Sequence, residues 1–495
     1  MSAANRNAQI IQGGMGVAVS NWRLARAVAS EGQIGVISGT GIDSVLVRRL
    51  QDGDPEGAVR RAMAAFPFPD IVKEALKRYF LPEGRQPGTT YKRSPMPSAT
   101  GNRIQQGLTI LGSYVEVFLA KEGHSGQVGI NLLTKVQLPN LAALYGSMLA
   151  GVDYVLMGAG IPREVPGALD RLAQHLPASF RLDITELPGV TRDGPAPTTD
   201  LIPHDFGSEG QADLKRPAFL PIVASHSLAS MLQKKANGSI EGFVVEGPTA
   251  GGHNAPPRGA KVFDDEGQPV YGERDIVDLE KMVDLGLPFW LAGAYGSPEA
   301  LRRARAHGAA GVQVGTLFAY CEESGLEPSI KDKVLEQVIG GTVSVRTDPR
   351  ASPTGFPFKV VSLPGSTSEE DVYRARKRVC DLGYLREVYR KDDGGIGYRC
   401  ASEPIADYMA KGGEAAETAG RKCLCNALMV NIGLGQIQKD GSAEAPLLTS
   451  GDDLPAIERL IRPGRSWYSA RDVLDYLLDT TPIAAPKGEV VGQGA

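Results

Sequence analysis

Short, continuous apolar runs recur along the first two thirds of the chain, and most are followed by a stretch with helical spacing. In order they are Gln9–Gln12, Gln33–Ser38, Val128–Leu133, Tyr154–Met157, Pro221–Ala224, Gly242–Glu246, Phe289–Ala292 and Val312–Val314. Runs of Val, Ile and Leu without polar alternation suit strands buried on both faces. Alternation of such strands with helices predicts βα units around a parallel sheet. A count of eight favours closure, so the expected fold class is α/β, a (β/α)8 TIM barrel rather than an open doubly wound sheet. Local punctuation agrees. Ser20 or Asn21 can cap a helix that places Trp22, Ala25, Val28 and Ala29 on one side, with Gly32 as its stop. Ser297, Pro298 and Gly308 bracket another helix in the same way.

Two interruptions exceed a minimal barrel, at about 44–125 and about 176–219. Insertions of this length fold over an active site or carry small structures of their own. The barrel is expected over 1–325 and a C-terminal extension over 326–495, mainly helical and loop-rich, with helix-like stretches at Ser368–Asp381 and Ser469–Leu478. The last ten residues read as frayed. Leu141–Ile161 holds Asp153 as its only charge, yet the change of pattern at Gly151 predicts a helix, a turn and a buried strand rather than a membrane span.

Composition narrows the classes without choosing one. With 42% hydrophobic and 22% charged residues the chain is an ordinary globular protein. A formal charge of -4 argues against a nucleic-acid or anionic-membrane footprint. The first twenty residues contain no apolar secretion signal, and five cysteines in 495 residues are no disulfide framework, so a cytoplasmic location is expected. Whether the chain forms a homo-oligomer stays open.

Candidate chemistry sits at the strand ends. In barrels, phosphate is favoured in the loops after strands seven and eight, where glycine lets backbone N–H groups approach an anion and a helix N-terminus assists. Leu291-Ala-Gly293-Ala and Gln313-Val314-Gly315-Thr316 fall there, and the Thr316 hydroxyl can add a donor. After strand six comes Glu246-Gly-Pro-Thr-Ala-Gly251-Gly252-His253. Its two glycines let the main chain pass close to a planar ring, and His253 stands at the pocket edge as an acid, base or hydrogen-bond donor. A lone glycine or histidine would be a turn and a surface side chain; two phosphate-type loops beside it change that balance. His226, just after strand five, is the only rival, while His124, His175, His204 and His307 read as structural or solvated.

These blocks resemble the FMN-dependent barrels of the nitronate monooxygenase (2-nitropropane dioxygenase) family and the related flavin-dependent enoyl-ACP reductases. The matching segments are Ile11-Gln-Gly-Gly-Met15, Gly129-Ile-Asn131-Leu, Ala250-Gly-Gly-His253, Leu291-Ala-Gly293 and Val312-Gln-Val-Gly-Thr316, spread from about residue 8 to about 320. The resemblance implies FMN held by Gly14, Met15, Asn131, Glu246, Gly251, Gly252, Gly293, Gln313, Val314, Gly315 and Thr316, with His253 beside the reacting carbon. It implies oxidation of alkyl nitronates with O2, His253 serving as catalytic base. The alternative is NAD(P)H-dependent reduction of an enoyl thioester. Glu246, where the monooxygenases have Gln, and Gly14-Met15, where they have Pro-Met, look more like the reductases. A third, non-enzymatic reading is a flavin- or phosphate-binding module whose tail docks a partner protein.

Three further features take the plainer reading. Cys380, Cys400, Cys423 and Cys425 could bind zinc or an iron–sulfur centre, but without a Cys-x-x-Cys pair they read as small buried hydrophobes, and no metal is expected. Arg374-Ala-Arg-Lys-Arg378 reads as the solvated face of a helix begun by Ser368-Glu-Glu-Asp. Ser352-Pro-Thr-Gly-Phe-Pro-Phe-Lys359 lays Phe or Lys359 over the substrate or, more plainly, only packs.

Overall fold

The computed structural model describes residues 8–186, 196–462 and 464–479. The last ten residues and part of the second insertion lie outside them. The eight apolar runs form a closed parallel barrel. Its strands are β1 Ile10–Gln12, β2 Ile34–Ser38, β3 Val128–Leu133, β4 Tyr154–Gly158, β5 Ala218–Val223, β6 Phe243–Glu246, β7 Phe289–Ala292 and β8 Gly311–Val314. Closure is direct, since Ile11 of β1 aligns with Ile34 of β2 and with Gln313 of β8. Only β5 starts clearly earlier than expected, because Pro221 lies inside it rather than at its start.

The interior is filled by Ile11, Val36, Tyr154, Leu156, Leu220, Val244 and Trp290. Trp290 is buried and donates its indole N–H to the Ala8 carbonyl at 3.4 Å. Helix Trp22–Ser30 is capped by Asn21, whose side chain accepts from Leu24 N–H at 3.0 Å. Ser20, the alternative cap, instead accepts from Met15 N–H at 2.6 Å and holds the loop after β1. Ser297 caps helix Pro298–Ala306 as expected. Leu141–Ile161 resolves into helix Asn140–Leu149, a turn and β4, and among the described residues no helix is long and apolar enough to cross a membrane.

Both insertions carry structures of their own. The first holds helices Ile42–Gln51, Ala58–Ala64 and Pro69–Tyr79, then Arg103–Lys121, which packs against Trp22–Ser30 and Asn140–Leu149 as an outer helix of the barrel. The second holds an antiparallel pair, Ala178–Arg181 with Thr198–Leu201.

The extension does what the insertions do not: it crosses the C-terminal end of the barrel. It contains helices and loops together with two antiparallel hairpins, β9 Val345–Asp348 with β10 Phe358–Val361, and β11 Glu387–Arg390 with β12 Ile396–Arg399. These strands are four residues each and lack the long apolar runs that mark the barrel strands. At its end, helix Ala470–Leu477 packs against Trp22–Ser30 and Pro298–Ala306, sharing one core with the barrel wall.

Two expectations for the tail need correction. The helix read as Ser368–Asp381 spans only Glu370–Ala375, and Arg376 is already in extended backbone. The basic run is therefore no solvated helix face. Arg374 is exposed, but Arg376 is buried against Glu444 at 2.9 Å, and Arg378 donates to the Ala401 and Thr418 carbonyls. Leaving the helix turns these guanidiniums inward, where they meet carbonyls and one carboxylate, though Arg376 Nε and Glu444 Oε1 stay unpaired.

Candidate active site

The C-terminal ends of the barrel strands open into one cavity of about 230 Å³. All twelve residues singled out from the sequence line it: Gly14, Met15, Asn131, Glu246, Gly251, Gly252, His253, Gly293, Gln313, Val314, Gly315 and Thr316. His226 does not. It sits at the start of helix His226–Lys235 beside Ser227.

The floor is set by the turn after β1. The Gln12 side chain is fully buried and accepts from Val36 N–H at 3.0 Å, tying this turn to β2. Gly14 then lies flush against Asn131, leaving no room for a Cβ, which would stand 2.3 Å from Asn131 Cβ. Asn131 donates from Nδ2 to the Gly14 carbonyl at 3.3 Å. Its Oδ1 is buried without a partner, and so is Gln313 Oε1. Two unpaired acceptors on one cavity wall cost stability unless a ligand supplies N–H or O–H groups. Their presence fits a polar, donor-bearing ring or its hydroxylated chain.

Gly293 (φ +96°) and Ala294 (φ +53°) are successive left-handed residues after β7. A Cβ on Gly293 would stand 2.9 Å from Thr249 Oγ1, so this turn packs on the loop after β6. Gly315 packs on Met15, and the helix after it is only Thr316–Ala319. The Thr316 hydroxyl is not a spare donor as expected. It accepts from Gly451 N–H at 3.1 Å and hydrogen-bonds the Asp453 carboxyl, so the tail has claimed it. The Thr316 main chain remains for an anion.

Glu246, at the end of β6, is half-buried without a charge partner, and desolvation pushes its pKa up to about 8. It is therefore a neutral hydrogen-bond donor over much of the neutral range. The following turn meets the tail hairpin. Asn254 N–H donates to Pro357 O and Lys359 N–H to Gly252 O, both at 2.9 Å, so β10 pairs with the histidine turn. A Cβ on Gly251 would lie 2.9 Å from Gly451 N, whereas Gly252 faces open space at φ +80°. The close neighbour that Gly251 admits is thus the tail backbone, while Gly252 answers a conformational need.

His253 Nε2 is 2.8 Å from Ser352 Oγ, and its ring meets Phe358 edge-on at 4.9 Å. Burial, reinforced by the nearby Lys135 cation, depresses its pKa to about 4, so the imidazole is neutral at pH 7. Lys135 lies over the Phe356 ring at 3.3 Å, and its own pKa falls to about 8 through burial. Within the Ser352–Lys359 segment, Phe358 lines the cavity, while Lys359 turns away to pair with Asp452 at 2.6 Å. Sequence reasoning missed the rest of the tail's share: Tyr384, Leu385, Leu424, Leu428, Asn431 and Thr449 to Gly451 all line the cavity. They carry no local motif, and only tertiary contact brings them there.

A family model described as nitronate monooxygenase matches residues 205–350, which include β5 to β8, the histidine turn and both phosphate-type loops. The chain is 25% identical over 347 residues to (3aS,4S,5R,7aS)-5-hydroxy-7a-methyl-1-oxo-octahydro-1H-indene-4-carboxyl-CoA dehydrogenase of Mycobacterium tuberculosis, covering 68% of this chain and 85% of that protein. Among solved structures it is similar to FabK from Thermotoga maritima (TM-score 0.43, 16% identity, 95% of this chain and 92% of that one). A nitroalkane oxidase from Streptomyces ansochromogenes gives TM-score 0.45 at 14% identity, covering 97% and 98%. The family match supports a flavin-dependent oxidoreductase. The resemblance read from the sequence is thus borne out: across residues 205–350 this oxidoreductase carries the pattern of the nitronate monooxygenase family.

Proposed function

We propose that the chain is an FMN-dependent oxidoreductase that oxidises alkyl nitronates with O2. The observation that carries this reading is a half-buried, neutral His253 lining the same cavity as two phosphate-type loops. FMN, when bound, supplies the electron-accepting ring. Asn131 Oδ1 and Gln313 Oε1 would accept its hydrogen bonds, Glu246 would donate one, and the backbone of Gly293–Ala294 and Gly315–Thr316 would hold its phosphate. His253, kept in its basic form, would accept the α-proton of a neutral nitroalkane and so give the nitronate, which itself no longer carries that proton. Ser352 fixes the imidazole orientation through Nε2. Lys135 brings positive charge near an anionic substrate.

A second reading, oxidation or reduction beside the carbonyl of a thioester, is favoured by the mycobacterial relative, whose name places a carboxyl-CoA substrate in it. One experiment separates the two. FMN-loaded protein is mixed anaerobically with propyl-2-nitronate, or with NADPH followed by an enoyl-CoA. Loss of flavin absorbance with the nitronate, and its return with O2, is expected. No reduction by any alkyl nitronate refutes the first reading, and rapid bleaching by NADPH with thioester turnover favours the second.

A further inference from the structure

Nε2 of His253 is committed to Ser352 Oγ at 2.8 Å, which leaves Nδ1 as the ring nitrogen for a proton taken in the cavity. That hydrogen bond is the first of two. Ser352 Oγ meets Thr354 Oγ1, also at 2.8 Å, so the imidazole and two hydroxyls form an unbroken row. Ser352 is fully buried and Thr354 only half-buried, so the row runs from the cavity wall toward solvent.

The local sequence builds this row. Ser352-Pro-Thr-Gly355 carries Pro and Gly where a tight turn takes them, and Gly355 N–H donates to Ser352 O at 3.2 Å. The turn folds Thr354 back on Ser352, whose Oγ also accepts from Thr354 N–H at 3.2 Å. Arg421 donates to the Ser352 carbonyl at 2.6 Å and fixes the turn against the rest of the tail. With Thr354 N–H and His253 Nε2–H both donating to it, Ser352 Oγ has its own proton free for Thr354 Oγ1. Orientation of the ring would need one hydroxyl, not two. A base in this cavity needs an exit for the proton it takes, because burial beside Lys135 holds His253 against staying charged.

We propose that Ser352 and Thr354 relay a proton from His253 to solvent, a step that rests on His253 serving as base for a neutral nitroalkane. As the C–H bond breaks and Nδ1–H forms, Nε2 gives its proton to Ser352 Oγ. Ser352 gives its own to Thr354 Oγ1, and Thr354 gives its own to water. One proton leaves the carbon, one reaches solvent, and the ring ends neutral in its other tautomer. After product leaves, Nδ1 loses its proton to water admitted to the cavity, and the row returns one to Nε2. Neither hydroxyl touches the substrate; both act through His253.

The test compares anaerobic reduction of FMN-loaded protein by neutral 2-nitropropane, which must lose a proton, and by propyl-2-nitronate, which has already lost it. Thr354→Val breaks the second link of the row and keeps the first, so the ring stays oriented. The ratio of the nitropropane rate to the nitronate rate should fall about ten-fold or more in Thr354→Val and hold in Thr354→Ser. The His253 Nε2 proton, followed by NMR, should also exchange with solvent several-fold more slowly in Thr354→Val. An unchanged ratio, including equal loss on both substrates, overturns the relay and leaves Ser352 as an orienting group. If neither substrate reduces the wild-type flavin, the nitronate reading fails, and exchange of the Nε2 proton decides the relay by itself: slowing upholds it, and no change overturns it.

Discussion

Replacing Gly14 by alanine probes the floor of the active-site cavity. The new Cβ would lie 2.3 Å from Asn131 Cβ, 2.9 Å from Nδ2 and 3.0 Å from Cγ. Carbon atoms rest at ~3.5–4.0 Å, so the pair must separate by more than ~1 Å. The backbone of Gly14 has little room to retreat, because Gln12 ties the turn to β2 and Ser20 holds Met15 N–H at 2.6 Å. Asn131 is therefore the group that moves. Overpacking costs on the order of 1–3 kcal/mol, and loss of the Asn131 Nδ2 bond to Gly14 O adds about 1 kcal/mol. On the proposed function, the displaced Asn131 Oδ1 would no longer meet the flavin, which at about 1 kcal/mol weakens FMN binding about five-fold. Urea unfolding of the apoprotein reads the first effect and quenching of FMN fluorescence the second. Asn131→Gly in the Gly14→Ala background removes the clashing Cβ and should recover the part of the midpoint lost to overpacking, though not the part due to the hydrogen bond. An unchanged midpoint together with an FMN Kd within two-fold of wild type would refute the reasoning.

Three other outcomes follow from the same geometry. Arg376→Met strands the buried Glu444 carboxylate, at a cost of about 3–5 kcal/mol, and should make the tail the first proteolysis site; Arg376→Met with Glu444→Met should recover much of that loss, and equal sensitivity of the two variants argues against a buried pair. Lys135→Met removes a cation near His253, so the histidine pKa should rise from about 4 while burial still holds it below 6.5; a titration by NMR that shows no rise contradicts the assignment. Glu246 has its folded pKa raised to about 8 from 4.5, so its stability contribution is intact below 4.5 and declines as pH climbs toward 8. Glu246→Gln should accordingly stabilise the apoprotein more at pH 8 than at pH 4, and urea midpoints that shift equally at both would count against this.

How much was legible in advance depended on whether the physical signal was local. All eight barrel strands could be located because a strand buried on both faces must be apolar along its length, as in Val128–Leu133 or Phe289–Ala292. The helix caps Asn21 and Ser297 were readable because capping is settled within three residues. The twelve candidate site residues share one cavity because a parallel barrel gathers all its strand ends on one face.

Tertiary structure alone decided what long-range contact controls. That the tail rather than the insertions closes the cavity rests on the pairing of Phe358 with His253 and of Gly451 with Thr316, residues more than a hundred positions apart. The same contacts turned Thr316 from a spare donor into an anchor for the tail. The inward turn at Arg376 was hidden because Glu444, its partner, leaves no mark in the local sequence. Cys380, Cys400, Cys423 and Cys425 share one small void for a related reason, since the fold, not the chain's local geometry, brings them together.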